Sequence, residues 1–453
     1  ETGNGMGVWT PAETTEVCGN ILFNTGNLQQ GVGRGNMIYT QNNTGTKYYI
    51  DNILISTWRT LFALYGSSRA FLKNFYIEGN VFMNGWVLIG GLISAPLENI
   101  VVKNNFFWNT GPTLGYRGKE VTKDLHFEGN HVILTKGGGT RRITFQHWQQ
   151  LIVIRNKIMN LTSYGPPDEG YNRMVEVWVG PLGLKNYHFD ENQYYFTPAW
   201  RFGNTGLLAT PNERINVPNP PIDGVYWLTW DYNPQKSAPT WRQSESPYGS
   251  LGFDPNGSYF TTRPTGTEIF IRPNKYEPGR AHIIVFNWDK LDKVSVDLSS
   301  VLPIGTPYEI RNAQDYLNDI VASGIYNGGL VEIDMVNRTV AIPEGWDKPI
   351  APSTFPEFGV FVLLPKYPSV PQILSPSNSE QIIQIPTFRL KAYDEFPLRF
   401  VIEITKENQT RTYVTEYTES GKELNFTLPE PLPPGTYTVK VKAQDKYNRE
   451  SPY

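Results

Sequence analysis

Three short stretches hold the side chains best suited to chemistry. Tyr116, Arg142 and Trp178 each stand eight residues ahead of a recurring segment, and Glu176 lies two residues before Trp178. If they point to one side on successive layers, they make a Tyr-Arg-Trp strip with a carboxylate beside it. Aromatic faces pack on sugar rings, and a guanidinium donates paired hydrogen bonds to a carboxylate. The strip therefore fits an acidic sugar, with Tyr116, Arg142, Glu176 and Trp178 as candidate contacts. Arg117, Lys119, Arg141 and His147 lie near the same edge. Together these types suit proton abstraction from a uronic acid, with Tyr116 as proton donor or acceptor and Arg142 neutralising the substrate carboxylate. No motif fixes that role, and an ordinary surface stack of large side chains gives the same pattern.

Other titratable groups argue for less. Glu78, Lys103, Glu128 and Asp190 share one offset in the repeat. That column alternates in sign and puts no two acids on adjacent layers, so it reads as a solvated face and not as an acid-base pair. His126 and His188 share another column two layers apart, roughly 10 Å, which is too far for joint metal ligation. No metal-ligand cluster, phosphate loop or nucleophile elbow is present, so neither metal nor cofactor is expected.

A repeat must position these groups. Asn74-Phe-Tyr-Ile-Glu-Gly-Asn80 returns as Asn99 to Asn105, Asp124 to Asn130 and Gln150 to Asn156, with fainter copies ending at Asn20, Asn52 and Asn192. Spacings of 25 to 36 residues signal a solenoid, and 25 residues leave no room for a helix with its loops. Each unit is expected to be a coil of short strands. The ladder residues Asn20, Asn52, Asn80, Asn105, Asn130, Asn156 and Asn192 are expected to take the left-handed corner conformation and to pass amide hydrogen bonds from coil to coil. Asn24, Asn84, Asn109 and Asn160 form a second column. Alternation points Phe75, Ile77, Ile100, Val102, Leu125, Phe127, Leu151, Val153, Tyr187 and Phe189 inward. It points Tyr48, Tyr76, Val101, His126, Ile152 and His188 outward, a column apolar enough to expect a cover from the same chain or from another subunit.

This pattern resembles the right-handed parallel β-helix proteins of the pectin-lyase-like superfamily over about residues 1–200. The resemblance implies a fold and not an activity. Hydrolases of that superfamily place several Asp on one sheet, and its lyases use a base with a metal or an Arg on the substrate carboxylate. No Asp pair and no Gly-His-Gly strand matches the hydrolase pattern here. For the lyase pattern, Tyr116 and Arg142 are the residues available.

Beyond the repeat, residues 201–280 are rich in Pro and aromatics and read as a wrapping segment. Residues 281–366 alternate in short runs such as His282-Ile-Ile-Val-Phe-Asn287 and read as an antiparallel sandwich. They are similar to accessory β domains of extracellular carbohydrate-active proteins. In residues 367–453, Leu432-Pro-Pro-Gly-Thr-Tyr437 and the strand to Asp445 resemble the late strands of fibronectin type III domains. That resemblance implies a tyrosine corner at Tyr437, its hydroxyl bonding back to the backbone. The fold class is all-β: a parallel β-helix of about seven coils, then two antiparallel sandwiches.

Composition narrows the class. With 18% charged residues and a net charge of −3, a nucleic-acid partner has no electrostatic support. No apolar run is long enough for a membrane span. Cys18 is the only cysteine, so no internal disulfide exists. Asn42, Asn160, Asn256, Asn337, Asn408 and Asn425 head glycosylation sequons, which permit modification without arguing for it. The opening Glu-Thr-Gly reads as a processed or engineered start, and Gly7 to Thr10 as the middle of an uncapped coil. Such a coil is expected to self-associate or to adjoin further coils. Two function classes stay open. One is an extracellular structural or adhesive protein, self-assembling into filaments and binding polysaccharide. The other is a secreted lyase or glycoside hydrolase acting on an acidic polysaccharide.

The alternation itself is testable. Phe127→Ala should cost about 3–5 kcal/mol in denaturant unfolding through the cavity it leaves. On the solvated-face reading, replacing outward Glu128 is expected to change stability by less than about 0.5 kcal/mol.

Overall fold

Short alternating runs broken every few residues by polar corners can only stack as coils, and they do. The computed structural model describes residues 5–9, 12–29, 32–66, 71–90, 97–115, 122–135, 142–161, 173–179, 186–196, 225–229, 253–260, 262–342, 352–366, 368–394, 396–446 and 448–453. The chain divides into two compact units, Glu1–Thr265 with Val340–Pro352, and Gly266–Thr339 with Ser353–Tyr453. The first unit is a parallel β-helix. Each coil contributes one strand to each of three sheets, which hold 8, 7 and 8 strands. The first sheet runs from Met6–Val8 to Arg173–Val179, the second from Thr14–Cys18 to Tyr187–Asp190, and the third from Ile21–Thr25 to Ser258–Phe260. Val225–Thr229 closes the first sheet as an antiparallel strand beside Arg173–Val179.

The corner between the second and third sheets explains the asparagines and corrects their expected job. The left-handed residue is the one before each ladder position: Gly19, Asp51, Gly79, Asn104, Gly129, Arg155 and Glu191, with φ between 52° and 68°. The ladder asparagines are thereby free to bond along the stack. Each donates its backbone N–H and its Nδ2–H to the Oδ1 of the next, from Asn20 through Asn52, Asn80, Asn105, Asn130 and Asn156 to Asn192, at 2.9–3.1 Å. From Asn52 onward the Nδ2 also donates to a main-chain carbonyl of the preceding coil, as Asn105 does to Ile77 O at 2.9 Å. In the second column Asn24, Asn84 and Asn109 do adopt positive φ, whereas Asn160 ends the extended strand Lys157–Asn160.

The ladder has a last rung that the repeat does not announce. After Phe196 the chain returns at Phe253, and Ser258–Phe260 pairs in parallel with Gln193–Phe196. Ser258 pairs with Gln193, so Gly257 stands level with Asn192, and Asp254, three residues earlier, supplies the acceptor for the last asparagine. Its Oδ1 accepts the N–H and Nδ2–H of Asn192 at 3.2 and 2.6 Å, and its Oδ2 accepts the Tyr194 hydroxyl at 2.6 Å. Residues 201–280 are thus not one wrapping segment. Residues 253–260 extend the solenoid, and Thr267–Pro273 pairs with Ala281–Asn287 to open the first sandwich. The rest of the expected wrap, apart from Val225–Thr229 and the short run 262–266, lies outside the described residues.

The expected inward side chains are all buried, with Phe127 at 0% exposure. Tyr49, Phe62, Phe82, Phe107, Phe127, Phe145, Phe189 and Phe253 form an unbroken aromatic column inside the solenoid, with successive ring centroids 4.4–6.3 Å apart. Edge-to-face and offset contacts in this range add to simple burial. Lys47 also points inward, in register with Phe75, and is 1% exposed. Its ammonium donates to Val8 O at 2.8 Å and Gln41 O at 2.7 Å, tying the first coil to the second.

In the second unit, the first sandwich sets a five-stranded sheet against the pair Lys293–Asp297 and Leu330–Asp334. The second sandwich has two three-stranded antiparallel sheets. There the Tyr437 hydroxyl donates to Pro433 O at 2.6 Å, the bond expected of a tyrosine corner.

Burial pushes the Lys47 ammonium down from 10.5 to about 8. The unfolded chain then binds more protons than the fold between those values, so unfolding free energy should rise with pH across that window. Denaturant titrations at several pH values should show this rise in the wild type and a smaller one in Lys47→Met. Equal slopes would mean that the ammonium is not desolvated.

Candidate functional site

The candidate site is built on the strands Ile143–Trp148 and Arg173–Val179 of the first sheet. Ile143, Phe145, Val175 and Val177 enter the core, so alternation turns Thr144, Gln146, Glu176 and Trp178 outward. Thr144 pairs with Glu176 and Gln146 with Trp178. Although it faces outward, Glu176 is only 2% exposed. Its Oε1 accepts the Trp178 Nε1–H at 2.6 Å, and its Oε2 is ion-paired with Arg142. A carboxylate buried this deeply is tolerated because it is paired with a cation and hydrogen-bonded. Trp178 is half-buried, and its ring meets His147 edge-on at 5.6 Å. His147 sits at a bulge with φ 55°, where the register steps from Gln146 opposite Trp178 to Trp148 opposite Val179. The extra residue turns Trp148 into the core, where its Nε1–H donates to Leu114 O at 3.0 Å.

Arg142, Glu176 and Trp178 are thus brought together, but not as the strip read from sequence. The neighbour of Trp178 is Gln146, and beyond it Gly115. Arg142 lies instead beside Gly111, where an added Cβ would come within 2.2 Å of Arg142 O. Offsets counted back from the second sheet fail because the connection to it varies. Gln149 alone separates Trp148 from Gln150, whereas residues 180–186 separate Val179 from Tyr187. Tyr116, Arg117, Lys119 and Arg141 lie outside the described residues.

Two glycines shape the surface next to this cluster. Gly115, at φ 106°, would place a Cβ 2.1 Å from Gln146 O, and Gly90 would place one 2.6 Å from Gly115 O. The coils below Gln146 and Trp178 therefore present bare backbone, a feature that accompanies close approach of a ligand or another chain. Sequence reading gave no reason to link Gln146, Gly90 and Gly115. The only signal was the Gly-for-branched exchange within the first-sheet strands.

The outer face of the second sheet keeps its expected register, with Tyr48, Tyr76, Val101, His126, Ile152 and His188 side by side. The column from Tyr48 to Ile152 is half-buried and His188 is exposed. Tyr48 and Tyr76 rings lie 5.7 Å apart, and burial together with Glu78 pushes the Tyr76 hydroxyl up to about 12. Glu128 corrects the solvated-face reading. It is 9% exposed, with Lys103 Nζ at 3.4 Å, His126 Nε2 at 3.0 Å and an ion pair to Arg155. Burial works to raise its pKa, but the Arg155 hydrogen bond and the Lys103 charge hold it below the usual carboxylate range.

The sequons separate as well. Asn42 and Asn160 are buried, and the Asn42 amide bridges Gly45 O and Lys73 O. The Asn256 amide is bonded to Asp190, while Asn337, Asn408 and Asn425 are exposed. Among the described residues no group of three or more His, Cys, Asp or Glu is placed to hold a metal ion, and no helix is long and apolar enough to cross a membrane. No family model, curated protein or solved structure matches the chain.

Glu128→Ala should destabilise the protein by about 1–3 kcal/mol, because it removes a buried carboxylate that pairs with Lys103 and Arg155. Chemical denaturation measures this directly, and a change within about 0.5 kcal/mol would restore the solvated reading.

Proposed function

We propose that the chain is an extracellular structural or adhesive β-helix protein that binds a polysaccharide at the Arg142–Glu176–Trp178 cluster without transforming it. One observation carries this reading. The Glu176 carboxylate is held at both oxygens, by Arg142 and by Trp178 Nε1, so it positions its neighbours and is not poised as a base. The half-buried Trp178 ring beside the backbone step at Gly90 and Gly115 is the sugar platform. The pectin-lyase-like resemblance fits the solenoid, and the Tyr437 bond supports a fibronectin type III-like spacer at residues 367–453. Self-association through the first coil belongs to the same proposal, supported by Trp9 at 54% exposure and by half-buried Met6, Val8 and Leu22.

The lyase reading is the alternative. It requires Arg142 to leave Glu176 and meet a substrate carboxylate, and it assigns proton transfer to Tyr116. The hydrolase form of that reading calls for a second acid paired with Glu176, and the described residues paired along its row are Thr144 and Thr113 on one side and Trp227 on the other.

Affinity electrophoresis in gels containing uronate or neutral polysaccharides separates these readings. Binding predicts retardation of the wild type, weakened about tenfold in Trp178→Ala, with no ultraviolet-absorbing unsaturated product. Product that is lost in Arg142→Ala would replace binding by lyase chemistry. No retardation by any polymer would remove the carbohydrate reading.

A further inference from the structure

In the first sandwich, the strands Ile320–Ile325 and Leu330–Asp334 are joined by the four residues Tyr326 to Gly329. Gly328 and Gly329 have φ of 85° and 82°. A connection this short with positive φ normally closes a hairpin. Here the two strands diverge. Ile320–Ile325 pairs with Pro307–Asn312 at the edge of the five-stranded sheet, and Leu330–Asp334 pairs with Lys293–Asp297. Among the described residues no backbone hydrogen bond joins the two. Between them lies an open cleft of about 450 Å³, lined by Val321, Ala322, Leu330, Val331, Glu332 and Asp334.

An antiparallel strand paired on one side turns alternate N–H and C=O groups away from its partner. Both walls of the cleft are therefore unpaired strand edges. Such edges are usually blunted by Lys, Pro or inward charge. Ile-Val-Ala-Ser-Gly-Ile carries neither proline nor charge, and Leu330, Ile320 and Ile325 are 66%, 47% and 38% exposed. A sugar would need an open aromatic face, and of the two tyrosines lining the cleft only the half-buried Tyr308 has any ring to offer. Tyr326 is 2% exposed, and the Tyr308 ring lies against Gly324, its cross-strand partner, 3.9 Å from where a Cβ would stand. The charges favour a cation: Lys293 lies 3.3 Å from Glu332 and 3.7 Å from Asp334, leaving one negative charge in excess.

We propose that this cleft is a β-augmentation site that takes one extended polypeptide strand from a partner protein. The strand is apolar toward Val321 and Val331 and carries Lys or Arg opposite Glu332 and Asp334. Inserted there, it hydrogen-bonds to both edges and joins the two sheets into one. This site is separate from the carbohydrate cluster and stands whether or not that reading holds.

The test uses the full chain and a short fluorescent peptide alternating Val and Lys. Anisotropy should show saturable binding, and amide hydrogen exchange should slow in both 320–325 and 330–334. A Val-Glu peptide should bind about tenfold more weakly at low salt. Glu332→Gln with Asp334→Asn should abolish that charge preference while leaving the backbone sites intact, and Ala322→Arg should block entry. No slowing of exchange at saturating peptide, slowing at one edge only, or a charge preference unchanged in the Gln/Asn variant would each overturn the proposal. So would slowing of both segments by a neutral oligosaccharide but not by the peptide.

Discussion

A carboxamide buried in a protein must have its hydrogen bonds met, because each unmet group costs about 1–3 kcal/mol. The ladder from Asn20 to Asn192 meets that demand only if every coil stands directly on the last, with two protons from one corner reaching a single oxygen of the next. A slip by one residue would strand these amides and also turn each strand over, sending its apolar set to water. Register is therefore enforced at the corner and inherited elsewhere. The aromatic column from Tyr49 to Phe253 and the outward files of the second sheet are aligned because the corners are.

What the corner does not control is the passage from the first sheet to the second. Loop closure entropy grows slowly with length, so these connections can lengthen without unseating the stack. They range from Gln149 alone to the eight residues 116–123. The first sheet is accordingly where coils depart from one another: a bulge at His147, bare backbone at Gly90 and Gly115, and the buried Glu176. Specialised surfaces are expected at the margin of a rigid frame, where local irregularity does not disturb the core.

The same division decides what could be read from sequence. Coils ending at Asn80, Asn105, Asn130 and Asn156 were legible because period-two alternation and a fixed corner coincide there, and their inward residues follow. The pairing of Trp178 with Gln146, and not with Arg142, was not, since a one-residue connection and a left-handed His147 leave no trace in composition. Glu128 looked solvated because its partners Lys103, His126 and Arg155 come mostly from neighbouring coils. Lys47 falls two residues before inward Tyr49, so parity placed it inside, and only the habit of reading charge as surface hid it. Asp254 was concealed by lying 62 positions beyond Asn192 and by being an acid where an amide was sought.

That last rung gives the solenoid a direction of growth. From Asn52 on, every asparagine in the ladder hands protons forward and receives them from behind, while the Asp254 carboxylate only receives. A duplicated unit spliced in anywhere upstream finds a donor on one side and an acceptor on the other, and the ladder heals around it. A unit appended beyond Asp254 meets carboxylate oxygen with its own oxygen. Lengthening by tandem duplication is thus open in the interior of the repeat and disfavoured beyond Asp254, whose carboxylate offers no proton and whose own N–H is already taken by Phe189 O.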